Sequence, residues 1–125
     1  MTHIQFGVFD HMDRGAGSLQ QFYTYLQSKK LSQNVLIVTI SDFGRTPSAN
    51  LSLGTDHGSA STAFVLGDMV KGGVYGDYPS LKTFDSTGNL AVNVDFRNML
   101  SDVIQALGGN AKAVLWMTYP KLGFI

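Results

Sequence analysis

After the polar break Ser32-Gln33-Asn34, residues 35–40, Val35-Leu36-Ile37-Val38-Thr39-Ile40, form a continuous apolar and β-branched run. Such a run predicts a parallel strand covered on both faces, because a half-exposed strand would alternate polar and apolar residues. Upstream, Ser18 with Gln21 three residues on is a capping-box pattern, and Leu19, Phe22, Tyr23 and Leu26 then share one helical face. This predicts an amphipathic helix over residues 18–30. Helix followed by buried strand is half of a βαβ unit, so an α/β class with a mostly parallel sheet is expected.

Working outward, residues 1–17 show no periodicity and end in the breaker cluster Arg14-Gly15-Ala16-Gly17, which predicts an irregular leading segment. Residues 41–59 carry no helical or strand pattern, and a loop of that length in a compact domain is more often functional than idle. Residues 62–66 read as a short buried segment, with helix and strand both open, and 71–76 read as a glycine turn. After a polar turn at 85–89, residues 90–94 suit a short edge strand and Asp95 suits a helix cap. Phe96, Met99, Leu100, Val103, Ile104 and Leu107 then make a wide apolar stripe, which Gly108-Gly109 ends, predicting a helix over 95–107. The tail from residue 113 is apolar, holds the only Trp, and is expected to pack down.

The chain has 125 residues, 44% hydrophobic and 14% charged, which suits one domain able to bury a core. Nine Lys and Arg balance nine Asp and Glu, so no broad positive field exists to hold nucleic acid. Without Cys there is no disulfide, thiolate nucleophile or Cys-type zinc site, and the redox compartment stays open. No apolar run approaches the roughly 18 residues of a membrane span, and the leading residues lack a basic start followed by an apolar stretch.

Three clusters hold chemically useful side chains: Thr2-His3 with Asp10-His11 and Asp13, then Ser41-Asp42-Phe43-Gly44-Arg45, then Gly54-Thr55-Asp56-His57-Gly58. Asp42 follows the strand run, where open α/β sheets leave a ligand crevice. Carboxylate and imidazole suit Zn, Mn, Mg or Ca, and the glycines around Asp56-His57 permit close backbone approach. The planar fork of Arg45 suits a phosphate or sulfate oxygen pair. Simpler roles stand beside these: Asp56-His57 as a plain turn, Asp42 as a cap or the ion-pair partner of Arg45, and His3 and His11 as solvated side chains.

The strings NVLIVTISDFGRTPSAN, GTDHGSAS, VLGDMVKGGVYGDYPSL and VDFRNML, in this order, closely resemble the DUF1501 family of bacterial proteins. That family looks like a branch of the alkaline-phosphatase and sulfatase superfamily, and the resemblance runs from the start to about residue 108. It implies an alkaline-phosphatase-like three-layer αβα sandwich, truncated, with residues 1–125 as one domain matching its C-terminal part. Ser41-Asp42-Phe43-Gly44 looks like the superfamily's Ser-Asp-His-Gly motif with Phe in place of the metal-binding His. His57 looks like the later metal-binding His of a Gly-rich loop. Thr2-His3 looks like the end of a Gly-aromatic-Asp-Thr-His string, with Met1 where the Asp would stand.

The resemblance therefore implies a metal-dependent phosphate or sulfate ester hydrolase, with His57, Asp42 and His3 as ligands of a divalent Zn, Mn, Ca or Mg. Asp56 would be a ligand or orient one, and Arg45 would clamp the anion. The superfamily's nucleophile and an early Asp ligand come from an N-terminal half with no counterpart here, so an incomplete or inactive enzyme is expected. The rival expectation is a non-catalytic binding or assembly module. A halved parallel sheet would leave an open edge, so either self-association or a missing N-terminal half is also expected.

Overall fold

The computed structural model describes the backbone of residues 3–125 and the side chains from Gly15 onward. It begins with α1, His3–Ser28, rather than an irregular segment followed by a helix at residue 18. Gly15 and Gly17 lie inside this helix in open space, and Ser18 stands within it instead of capping it. Each glycine costs about 1 kcal/mol relative to Ala. Stopping and nucleating a second helix costs more, because the first turn fixes several residues for one hydrogen bond. The helix ends as read: the Leu31 N–H donates to Leu26 O at 2.9 Å and Lys30 N–H to Gln27 O at 3.0 Å, with Lys30 left-handed at φ 56°. This is a Schellman closure with Lys where glycine is usual.

A 3-10 turn at Ser32–Asn34 leads into β1, Ile37–Val38. Its partner is β4, Val65–Leu66, and the pair is antiparallel, with Ile37 opposite Leu66 and Val38 opposite Val65. The Thr39 N–H continues the ladder to Phe64 O at 2.9 Å. Between them, β2, Gly44–Arg45, pairs antiparallel with β3, His57–Gly58. Both sheets are two-stranded and antiparallel, which overturns the expected parallel three-layer αβα sandwich of alkaline-phosphatase type. The reason lies in the connection. Parallel neighbours need a crossover, usually a helix, whereas the chain from β1 to β4 forms a hairpin and loops and returns directly. The 35–39 run is accordingly only half-buried, and 62–66 resolves as a strand at its end. Of the expected edge strand at 90–94, a single antiparallel bridge between Phe84 and Leu90 forms.

The C-terminal reading holds more closely. In α2, Phe96–Ala106, Asp95 caps the start by accepting the Arg97 N–H at 2.9 Å. Gly108, at φ 77°, closes the end as the Gly109 N–H reaches Ile104 O at 2.8 Å. Asn110 caps the short α3, Ala111–Leu115, which packs on α2. The tail then folds back: Asp102, 3% exposed, accepts the Leu122 N–H at 2.6 Å and the Gly123 N–H at 3.1 Å through one oxygen. Phe124, also 3% exposed, meets the Tyr75 ring edge-on at 5.7 Å, and its carbonyl accepts the Lys71 N–H at 2.7 Å. Trp116 departs from the expectation, standing left-handed at φ 61° and 88% exposed.

Among the described residues the buried apolar side chains are few: Leu26, Met99, Ala111 and Phe124. The chain exposes 9488 Å², whereas a compact monomer of this mass exposes about 6,500 Å². No helix among the described residues is long and apolar enough to cross a membrane.

Candidate functional site

Two of the three chemically rich clusters meet in the β2–β3 hairpin, and glycine makes the meeting possible. Gly44 lies opposite Gly58. A Cβ on Gly44 would fall 1.7 Å from Ala60 O, and one on Gly58 would fall 2.7 Å from the Arg45 carbonyl carbon. Only bare backbones approach this closely. The register then sets Arg45 directly opposite His57.

Around that pair the side chains stack. The Phe43 ring lies on the His57 imidazole with centroids 3.5 Å apart and planes 9° from parallel. The Arg45 guanidinium stands 5.1 Å from the Phe43 centroid, a cation–π contact worth about 0.5–1 kcal/mol at an exposed position. Its Nη1 donates to Thr55 O at 2.9 Å, leaving the rest of the fork in solvent. Stacking covers a face of the imidazole and leaves its ring nitrogens, which act in the ring plane, at the rim. Phe43, next to Asp42 in the chain, thus becomes the support of His57.

Asn50, absent from the sequence-based candidates, organises the neighbouring loop. Its Oδ1 accepts the Ser52 N–H at 3.0 Å and the Gly54 N–H at 3.1 Å, and its Nδ2 donates to Asp56 Oδ1 at 2.8 Å. The Asp56 N–H donates to Thr46 Oγ1 at 3.0 Å while the Thr46 N–H donates to Asp56 O at 3.1 Å. Asp56 is therefore engaged in holding the loop. An Asn after Thr-Pro-Ser-Ala is a recognisable Asx-turn signal, and it was the available clue.

Asp42 is exposed, forms no ion pair with Arg45, and takes no partner among the described residues. The side chains of His3 and His11, and the whole of Thr2, lie outside the described residues. Among the described residues no three His, Asp or Glu side chains gather as metal ligands. The expected set is thus divided: Arg45 and His57 come together, Asp56 is turned to Asn50, and Asp42 projects alone.

The strongest charge perturbations lie elsewhere. Hydrogen bonds from the Arg97 side chain and its backbone hold Asp95 down to about 2. Ser32 and Tyr23 lower Asp68 by donating to its carboxylate, and Thr87 and Asn89 do the same for Asp85. Asp95 caps α2, Asp85 holds the 85–89 turn, and Asp68 ties Tyr23 of α1 to Ser32 of the 3-10 turn.

Residues 6–120 match the family described as a protein of unknown function, DUF1501. The chain belongs to the DUF1501 family. The DUF1501 match takes in the hairpin, α2 with Asp102, and α3, and ends at residue 120, just before the Leu122 and Gly123 N–H groups that Asp102 holds. No curated protein and no solved structure matches the chain.

Proposed function

We propose that this DUF1501 chain is a binding module that holds the anionic group of a phosphate or sulfate ester between Arg45 and His57. The observation that carries the reading is the Arg45–His57 register across the hairpin, with Phe43 stacked beneath His57 and near Arg45. The free part of the guanidinium fork supplies charge-assisted donors, and the imidazole rim adds a donor. Both side chains are exposed, so water competes and an affinity of about millimolar is expected.

The second reading is a metal-dependent hydrolase of phosphate or sulfate esters, related to the alkaline-phosphatase and sulfatase superfamily by the motifs around Asp42 and His57. The unpartnered Asp42 carboxylate on the same hairpin favours it. The described residues alone do not fit a divalent metal, however. A catalytic zinc site takes three protein ligands and an open position, and among the described residues Asp42, His57 and the Asp56 oxygen that Asn50 leaves free are not gathered into one such set. A further ligand such as His3 would have to join them.

Titration of the full chain with inorganic phosphate, inorganic sulfate and an aryl ester of each, followed through the Arg45 and His57 signals by NMR, tests the module reading. Saturable shifts lost in Arg45→Gln and in His57→Ala are expected, and no shift up to tens of millimolar ligand overturns it. Stoichiometric retention of Zn or Mn through dialysis, abolished in Asp42→Asn, together with ester turnover, would replace it by the hydrolase reading.

A further inference from the structure

The outer edge of β1 carries a second kind of site. Because the Thr39 N–H faces Phe64 O, the backbone groups of Ile37 and Thr39 point to β4, and those of Leu36, Val38 and Ile40 point the other way. No N–H of these three residues finds a partner among the described residues. Among the helices and strands, β1 packs only with β4. Edges left open in monomeric proteins carry Lys, Pro or a bulge that blocks pairing, but residues 34–40 hold no charge and no proline. Ile40, 73% exposed, extends the apolar edge into solvent.

We propose that this edge binds a second copy of the chain, the two β1 strands running antiparallel across a two-fold axis at Val38. The pattern of free groups is its own complement: Val38 stands opposite Val38 of the copy, and Leu36 opposite Ile40, all as hydrogen-bonded pairs. The two-stranded β1–β4 sheet becomes a continuous four-stranded one. Surface area supports a partner of protein size. The chain's 9488 Å² exceeds the compact-monomer value by roughly 3,000 Å², several times the ~800 Å² per subunit of a standard interface. The charge also favours a copy over an acidic or basic partner, since nine positive and nine negative side chains leave nothing to repel an identical chain.

The test is the mass of the full chain in solution across a concentration series, with the edge then blocked. Sedimentation should give twice 13.5 kDa at tens of micromolar. Ile40→Lys and Val38→Pro should return it to the single-chain mass with an unchanged far-UV spectrum, since Val38 donates nothing to β4. As the chain has no Cys, Val38→Cys should close one intermolecular disulfide under mild oxidant, the paired Cα atoms standing about 5.5 Å apart. A single-chain mass throughout the series overturns the proposal, as does a dimer that survives both blocking variants. If either variant loses its fold, amide exchange of the parent decides. Concentration-dependent protection of Leu36, Val38 and Ile40 supports the pairing, and its absence refutes it.

Discussion

Replacing Asp102 by Ala should unlatch the C-terminal tail. One carboxylate oxygen, on a residue 3% exposed, accepts both the Leu122 and Gly123 N–H groups at 2.6 and 3.1 Å. A hydrogen bond to a charged group contributes about 1.5–3 kcal/mol, and two sharing an oxygen are less than additive, so about 2–4 kcal/mol is at stake. Phe124 sits immediately beyond the latch at 3% exposure, and releasing it would forfeit up to about 1.5–3 kcal/mol more. Small domains are stable by only 5–15 kcal/mol, so Asp102→Ala should remove a large share of the total. Asp102→Asn keeps a carbonyl acceptor at nearly the same place and should recover about half of the loss. Urea unfolding followed by circular dichroism measures the stability. Hydrogen exchange at Leu122 and Gly123 localises the effect, and fluorescence of the single Trp, at the base of the tail, reports its movement. A change below about 0.5 kcal/mol, with Leu122 and Gly123 exchanging as before, would refute the latch.

Acid should weaken the fold in a defined window. Asp95, Asp68 and Asp85 all lie below their ordinary 3.8 in the folded chain, Asp95 at about 2; depressed acids contribute stability above 3.8 that is lost as pH falls towards 2. Thermal melts between pH 5 and 2 should therefore show a falling midpoint, and Asp95→Asn should flatten part of the slope. Gly44→Ala should disrupt the hairpin, because its Cβ would lie 1.7 Å from Ala60 O; a loss of at least about 2 kcal/mol and displaced His57 resonances are expected in NMR spectra. Gly15→Ala and Gly17→Ala meet open space within α1 and should each stabilise the helix by up to about 1 kcal/mol, visible as a raised melting midpoint.

How far the fold was legible depends on where the deciding interactions lie. The α2 signals are all local: Asp95 caps, the stripe from Phe96 to Leu107 has one period, and Gly108 supplies the left-handed closure. A local pattern reads correctly because nothing distant competes with it. The 35–40 run is different, because a continuous apolar strand states how much surface it wants to bury and not which strand lies beside it. Its orientation was settled by the helix-free connection to β4. Gly15 and Gly17 misled for a related reason. Breaker residues end a helix only when the chain has an alternative that offsets the lost hydrogen bonds.

The site was legible in its atoms and illegible in its convergence. Arg45 and His57 were found from residue type and glycine context, and the Gly44–Gly58 crossing brings them face to face. Asp56 was named with them, but residue type cannot reveal that Asn50 donates to its Oδ1. Adjacent positions on a strand point to opposite faces, so Asp56 and His57 were never free to serve one ligand from the same side unless the loop bent between them. The hydrogen bonds of Asp56 to Asn50 and Thr46 hold that loop in ladder geometry instead. Among the described residues, a cation and an imidazole share one face on an aromatic support, and the proposed anion-binding reading rests on that arrangement.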